Sequence, residues 1–168
     1  MTCFFVVGPG RSGTSFVAKT LHDNGVSMGS RFREPDEQNP DGYYEDLDFK
    51  ELNSALLDGS LLFAGWQFQV CELADAKSGD WGLKDPRLCY LLGYYLDIVP
   101  GAVVLRTRRP VHETALSMNR CYGWRLSDAL VEAHRRESLL DRYPSTFIDL
   151  NKEKIVAYIE ANKSHAET

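Results

Sequence analysis

Three clusters of polar residues in this 168-residue chain have the types and spacing to grip an anion of more than one charge. They are Gly8-Pro-Gly-Arg-Ser-Gly-Thr-Ser15, Lys84-Asp-Pro-Arg87 and Arg106-Thr-Arg-Arg-Pro110. In the first, three glycines let the backbone turn sharply and bring successive N–H groups toward one point. Arg11 adds a cation inside the loop, and Ser12, Thr14 and Ser15 add hydroxyls. The spacing fits G-x-x-x-x-G of a Walker A loop. Thr14, however, stands where that loop carries the lysine that reaches the β/γ-phosphates of ATP. The arginines of the other two clusters suit bidentate contact with oxyanions. A glycine turn that holds no ligand is the plain alternative, and the polar density around Arg11 argues against it.

Each cluster needs a strand before it and a helix after it. Phe4 to Val7 is an unbroken run of β-formers, as expected of a strand buried on both faces. Phe16, Val17, Thr20, Leu21 and Asn24 then fall at helical spacing, closed by Gly25. Trp81 to Asp85 reads as a second strand, with Pro86 starting a helix over 87–99 that Pro100-Gly101 stops. Ala102 to Arg106 is a third strand, followed by a helix from Pro110 to Cys121.

Elsewhere, Asp46 caps a helix running to Gly59, and a short helix is expected near 68–76. Ser127 is placed to cap a helix ending near Arg142, and 146–150 and 152–161 read as a last strand and helix. Trp66, Phe68 and Trp81 are expected in the core rather than lining a cleft. The polar, aperiodic stretch from Val26 to Gly42 is long enough to be functional. Strands alternating with helices predict an α/β, three-layer P-loop-like fold, with a central, mainly parallel β-sheet flanked by helices. Ligands of such sheets collect at the carboxyl ends of the strands, where all three clusters lie.

With 43% hydrophobic and 26% charged residues, the chain suits a single domain over 1–168, with 164–168 as a frayed end. A net charge of -5 argues against general binding to nucleic acid or anionic lipid. The four cysteines form no C-x-x-C pair, which fits the reduced thiols of a cytoplasmic protein. No apolar run is long enough to span a bilayer, and the segment before the first strand lacks the makings of a signal peptide. Nothing in the sequence marks an oligomeric state.

Taken together, the motifs resemble the sulfotransferases that use 3′-phosphoadenosine 5′-phosphosulfate (PAPS), in a compact, bacterial-type form. That family's 5′-phosphosulfate loop, P-K-S-G-T-T/S, lies over Gly10-Arg-Ser-Gly-Thr-Ser15, and R-S-G-T-S is common among its bacterial members. Its 3′-phosphate motif pairs an arginine with a serine eight positions later, as do Arg109 and Ser117. The family lysine at the end of a strand corresponds to Lys84. The motif order agrees, and the resemblance runs from Phe4 to about Arg120.

Two departures stand out. Where many members have a catalytic histidine two residues after the lysine, this chain has Pro86. Other branches use a glutamate, for which Glu45 is the counterpart, although a carboxylate there also fits a helix start favoured by the dipole. No R-K-G loop follows Leu150.

The resemblance implies PAPS as co-substrate, no metal, and transfer of a sulfuryl group to a hydroxyl or amine of a small-molecule or carbohydrate acceptor. Arg11, Lys84 and Glu45 would then be catalytic. Gly10, Arg11, Ser12, Gly13, Thr14, Ser15, Arg109 and Ser117 would bind the nucleotide. Tyr43, Tyr44 and Trp66 are candidates to border the acceptor. Two alternatives remain open. One is a P-loop kinase with an altered loop, against which stand Thr14 and a strand ending in Arg106 rather than an acidic residue. The other is a nucleotide-binding module without catalysis.

Overall fold

A computed structural model of the chain describes residues 1–148 and 150–163. The expected tail at 164–168 and Asp149 lie outside the described residues. The elements run β1 (Cys3–Val7), α1 (Thr14–Asp23), α2 (Leu47–Leu57), α3 (Phe63–Asp75), β2 (Trp81–Lys84) and α4 (Leu88–Ile98). They continue with β3 (Val103–Arg106), α5 (Val111–Tyr122), α6 (Leu126–Leu140), β4 (Thr146–Phe147) and α7 (Lys152–Asn162). The four strands form one sheet in the order β2-β1-β3-β4. Every pairing is parallel, with Phe5 opposite Leu83 on one side and Val104 on the other.

The layering follows from the period of two in β1. Phe5 and Val7 face a core with Phe49, Trp66, Leu88 and Tyr95 from α2, α3 and α4. Phe4 and Val6 face the opposite core, with Val17, Leu21, Ile155 and Ile159 from α1 and α7. The unbroken apolar run is thus the mark of a strand with a helical layer on each side. Among the described residues, no helix is long and apolar enough to cross a membrane.

Several boundaries differ from expectation. Helix α1 begins at Thr14, ahead of the apolar periodicity, because Gly13 takes the left-handed conformation (φ 97°) that turns the loop directly into the helix. Helix α3 starts at Phe63 rather than near Phe68, since its inner face is Trp66, Val70 and Ala74 while Phe68 is 63% exposed. Ser127 is not a cap: α6 begins one residue before it, with Arg125 at the N-cap and the Ser127 hydroxyl turned to Asp128. Strand β4 is two residues long and exposed, shorter than the expected 146–150. Asp46 does cap α2, its carboxylate accepting the Asp48 N–H at 3.0 Å. Trp66 and Trp81 are core residues, and Trp66 Nε1 donates to Asn53 Oδ1 at 3.0 Å, so Trp66 does not border a cleft.

The third polar cluster divides. Arg106, only 3% exposed, turns away from the strand ends toward α6, where it pairs with Glu137 Oε2 at 2.5 Å and Asp141 Oδ1 at 2.8 Å. It is a structural ion pair, and Arg108 packs over Phe147. Replacing Glu137 with alanine removes the buried carboxylate from Arg106 and leaves its guanidinium the exposed Asp141 and the backbone carbonyl of residue 137. Urea unfolding should show a loss of about 1.5–3 kcal/mol, the cost of one buried charged hydrogen bond with a second carboxylate still in place.

Candidate functional site

The glycine loop is set by the sheet beneath it. A Cβ on Gly8 would lie 2.3 Å from Thr107 Oγ1, so only glycine fits where the loop leaves β1. Cys89 Sγ donates to Gly8 O at 3.3 Å, and burial pushes that thiol up to about 12. Ser12 is fully buried: its hydroxyl donates to Pro9 O at 2.6 Å and shares a 2.7 Å hydrogen bond with Thr107 Oγ1. Its N–H also donates to Pro9 O, at 3.1 Å. Ser12 therefore shapes the loop from behind. Gly10, Arg11, Thr14 and Ser15 face outward into a cavity of about 380 Å³. Phe16 N–H donates back to Gly13 O at 3.1 Å, and the start of α1 brings the positive end of its dipole to the loop.

Arg11 is one of two non-glycine residues at positive φ among the described residues, at 72°; Tyr44 is the other, at 54°. Such a conformation costs on the order of 1–3 kcal/mol and persists only where neighbours impose it. Here Arg109 Nη1 donates to Arg11 O at 3.3 Å, while Arg11 Nε donates to Ser117 Oγ and its Nη1 to Gln38 O, both at 3.3 Å. Arg109, Ser117 and the loop thus meet at one residue. Beyond Arg11 lies a second cavity of about 250 Å³, lined by Gly13, Thr14, Ser15 and Arg109.

Across the first cavity, Lys84 ends β2 beside the loop-bearing strand. Lys84 is 3% and Glu45 4% exposed, and Lys84 Nζ donates to Glu45 Oε1 at 2.8 Å. Lys50 Nζ lies 3.2 Å from the other carboxylate oxygen. Burial pushes the Glu45 pKa up, but the two ammonium groups outweigh it and hold the carboxyl below its ordinary value. Glu45 is therefore ionised at neutral pH. Burial pulls Lys84 below the usual lysine value, against the pull of Glu45. The next residue, Asp85, accepts the N–H of Arg87 at 2.9 Å and its guanidinium at 3.1 Å. Its other oxygen accepts from Asn53 Nδ2 at 3.1 Å, and Asn53 is held by Trp66 and Tyr95.

The structure thus gathers Gly10, Arg11, Thr14, Ser15, Glu45 and Lys84 on one cavity. Gly13 and Arg109 lie on its neighbour, Ser117 joins through Arg11, and Ser12 lies behind the loop. Tyr43 lines the first cavity under the Arg33 guanidinium, 3.9 Å from the ring centre. Tyr44 turns into a separate cavity with His22 and Phe32. Sequence reasoning missed Lys50 and Arg136 as cavity residues, and Tyr122 and Trp124, whose rings are 5.6 Å apart, at the wall. In a chain of net charge -5, Arg11, Arg33, Lys50, Lys84, Arg87 and Arg136 face this space with Glu45 as the acidic group. Such walls attract a polyanion and offer one carboxylate able to take a proton. Among the described residues, no group of three or more His, Cys, Asp or Glu side chains could hold a metal ion.

No protein-family model and no curated protein matches the chain. Among solved structures it is similar to the sulfotransferase STF1 from Mycobacterium tuberculosis H37Rv, with a TM-score of 0.53 and 18% identity. The likeness covers 93% of this chain and 63% of that one, so the chain spans under two thirds of the length of its structural neighbour. At this identity the likeness is one of fold: an α/β sulfotransferase-like architecture around a parallel sheet.

Proposed function

We propose that the chain is a sulfotransferase that takes its sulfuryl group from PAPS and passes it to a hydroxyl or amine of a small-molecule or carbohydrate acceptor. One observation carries this reading: the glycine loop and the Lys84–Glu45 pair line a single cavity, while Arg109 and Ser117 gather on the far side of Arg11. The residues fit the donor, since a cation-lined cavity is bordered by Gly10 and Arg11 and a second arginine-bearing cavity adjoins it. When bound, PAPS supplies an activated sulfuryl group on its 5′-phosphate.

The chain's own residues would act as follows. The N–H groups opening α1 and the Arg11 guanidinium hold the oxyanions of the loop-bound end. Lys84 neutralises charge on the bridging oxygen as its bond to sulfur breaks and the electron pair passes to the departing phosphate. Glu45 takes the proton of the acceptor group as that group bonds to sulfur. Arg109 and Ser117 hold the 3′-phosphate, which distinguishes this nucleotide from ATP.

Thermal unfolding without magnesium tests the reading. Saturation with 3′,5′-diphosphoadenosine at about 100 times its dissociation constant should add roughly 2.7 kcal/mol and raise the midpoint by several degrees. Stabilisation by ATP that requires magnesium would instead favour a kinase. Binding of the diphosphate without transfer to any acceptor would leave a nucleotide-binding module. Arg109→Ala should weaken binding of 3′,5′-diphosphoadenosine about tenfold or more while sparing 5′-AMP. Equal losses for the two nucleotides would remove Arg109 from the 3′ site.

A further inference from the structure

Arg136, on α6, sits far from the glycine loop in sequence yet faces it in space. Its side chain is 15% exposed, and Nε donates to Glu132 Oε1 at 2.8 Å. The guanidinium lies over the Tyr90 ring, 5.6 Å from its centre, and Tyr90 Oη donates to the same Glu132 oxygen. The side chain is thus fixed from behind at one edge of its fork. At the opposite edge, a Cβ placed on Gly10 would lie 3.7 Å from Arg136 Nη1 and 3.7 Å from Tyr122 Oη. Nη1 therefore lies beside the bare backbone of Gly10, at the wall of the cavity that both residues line. With Glu132 on Nε and Tyr90 behind it, the guanidinium keeps Nη1 on the cavity side, where a planar fork suits an oxyanion.

We infer that Arg136 is a second arginine of the anion nest, gripping the 5′-phosphosulfate end of the donor from α6 while Arg11 holds it from the loop. The inference rests on the sulfotransferase reading and adds to it a donor-binding residue. Glu132 and Tyr90 are positioning residues that act through the guanidinium. Arg136 and Arg109 then mark opposite ends of one nucleotide, and their losses separate by which phosphate the ligand carries.

Titration calorimetry on the full chain, without magnesium, tests this with 3′,5′-diphosphoadenosine, 5′-AMP and 3′-AMP. Arg136→Met should weaken the diphosphate and 5′-AMP alike, by roughly 10- to 100-fold, and leave 3′-AMP unchanged. Arg136→Lys should recover part of the loss, and Glu132→Gln should reproduce a smaller loss with the same ligand pattern. Unchanged affinity for the diphosphate in Arg136→Met overturns the inference and assigns the guanidinium to the acceptor. Equal loss for all three ligands overturns it too, as the mark of a general structural role. A wild-type chain that binds none of the three fails at the earlier step, overturning the sulfotransferase reading and this inference with it.

Discussion

Replacing Lys84 with methionine is expected to lower the single-turnover rate of sulfuryl transfer by about 10²–10³-fold, the usual cost of removing one donor aimed at developing negative charge. Methionine keeps much of the side-chain volume, and Lys50 stays paired with Glu45, so the chain should still fold. Affinity for 3′,5′-diphosphoadenosine should fall far less than the rate, because the charge Lys84 meets is greatest while the bond to sulfur is breaking. A rate within about threefold of wild type, with affinity alone reduced, would make Lys84 a binding residue only. The same substitution removes the nearer of the two cations that depress the Glu45 pKa, so that pKa should rise. In the intact site the two groups are coupled. In the proposed transfer, Lys84 turning its charge toward the departing oxygen would take away part of what keeps Glu45 a weak base, and its affinity for the acceptor proton would rise.

Glu45→Gln should remove the proton acceptor while preserving shape and one oxygen for Lys84, lowering transfer by about 10²–10⁴-fold. Nucleotide affinity should change little, since no step of donor binding calls on the carboxylate. An undiminished rate in this variant would return Glu45 to the role of a helix-start carboxylate neutralising two lysines. The pH dependence of stability supplies a second measurement. Glu45 has a folded pKa below its ordinary value of 4.5, so its stabilising contribution is complete above that value and is lost as the pH falls through the depressed one. Unfolding midpoints from pH 6 down to about pH 2 should therefore fall less steeply for Glu45→Gln than for wild type.

Much of this site could be read from local sequence because its parts sit at strand ends. The apolar run before Gly8 and the helical period after it placed the loop, and Lys84 and Arg109 followed from strands of the same kind. Pairings across the sheet could not be read this way. Glu45 and Lys84 are 39 positions apart, and nothing local says that they touch. Arg106 and Arg109 looked equivalent in one basic run, yet one points into the fold and the other toward the loop; the direction is fixed by α6, not by the run itself. Arg136 gave no signal, because a glutamate four residues before an arginine is the ordinary pattern of a solvated helix face. Helix α3 starts ahead of the expected 68–76 because Trp66, Val70 and Ala74 form its buried face, which leaves Phe68 exposed rather than in the core.

The way Ser12 is spent has a consequence for binding. Its hydroxyl and amide are both committed to Pro9, and the hydroxyl also to Thr107 just past β3, so the curvature of the loop is settled when the sheet assembles. An anion entering the cavity would meet a loop whose curvature is already set. On the sulfotransferase reading, association at this end would be relieved of the conformational entropy that an induced nest would have to surrender, and more of the contact energy would remain to hold the donor in register.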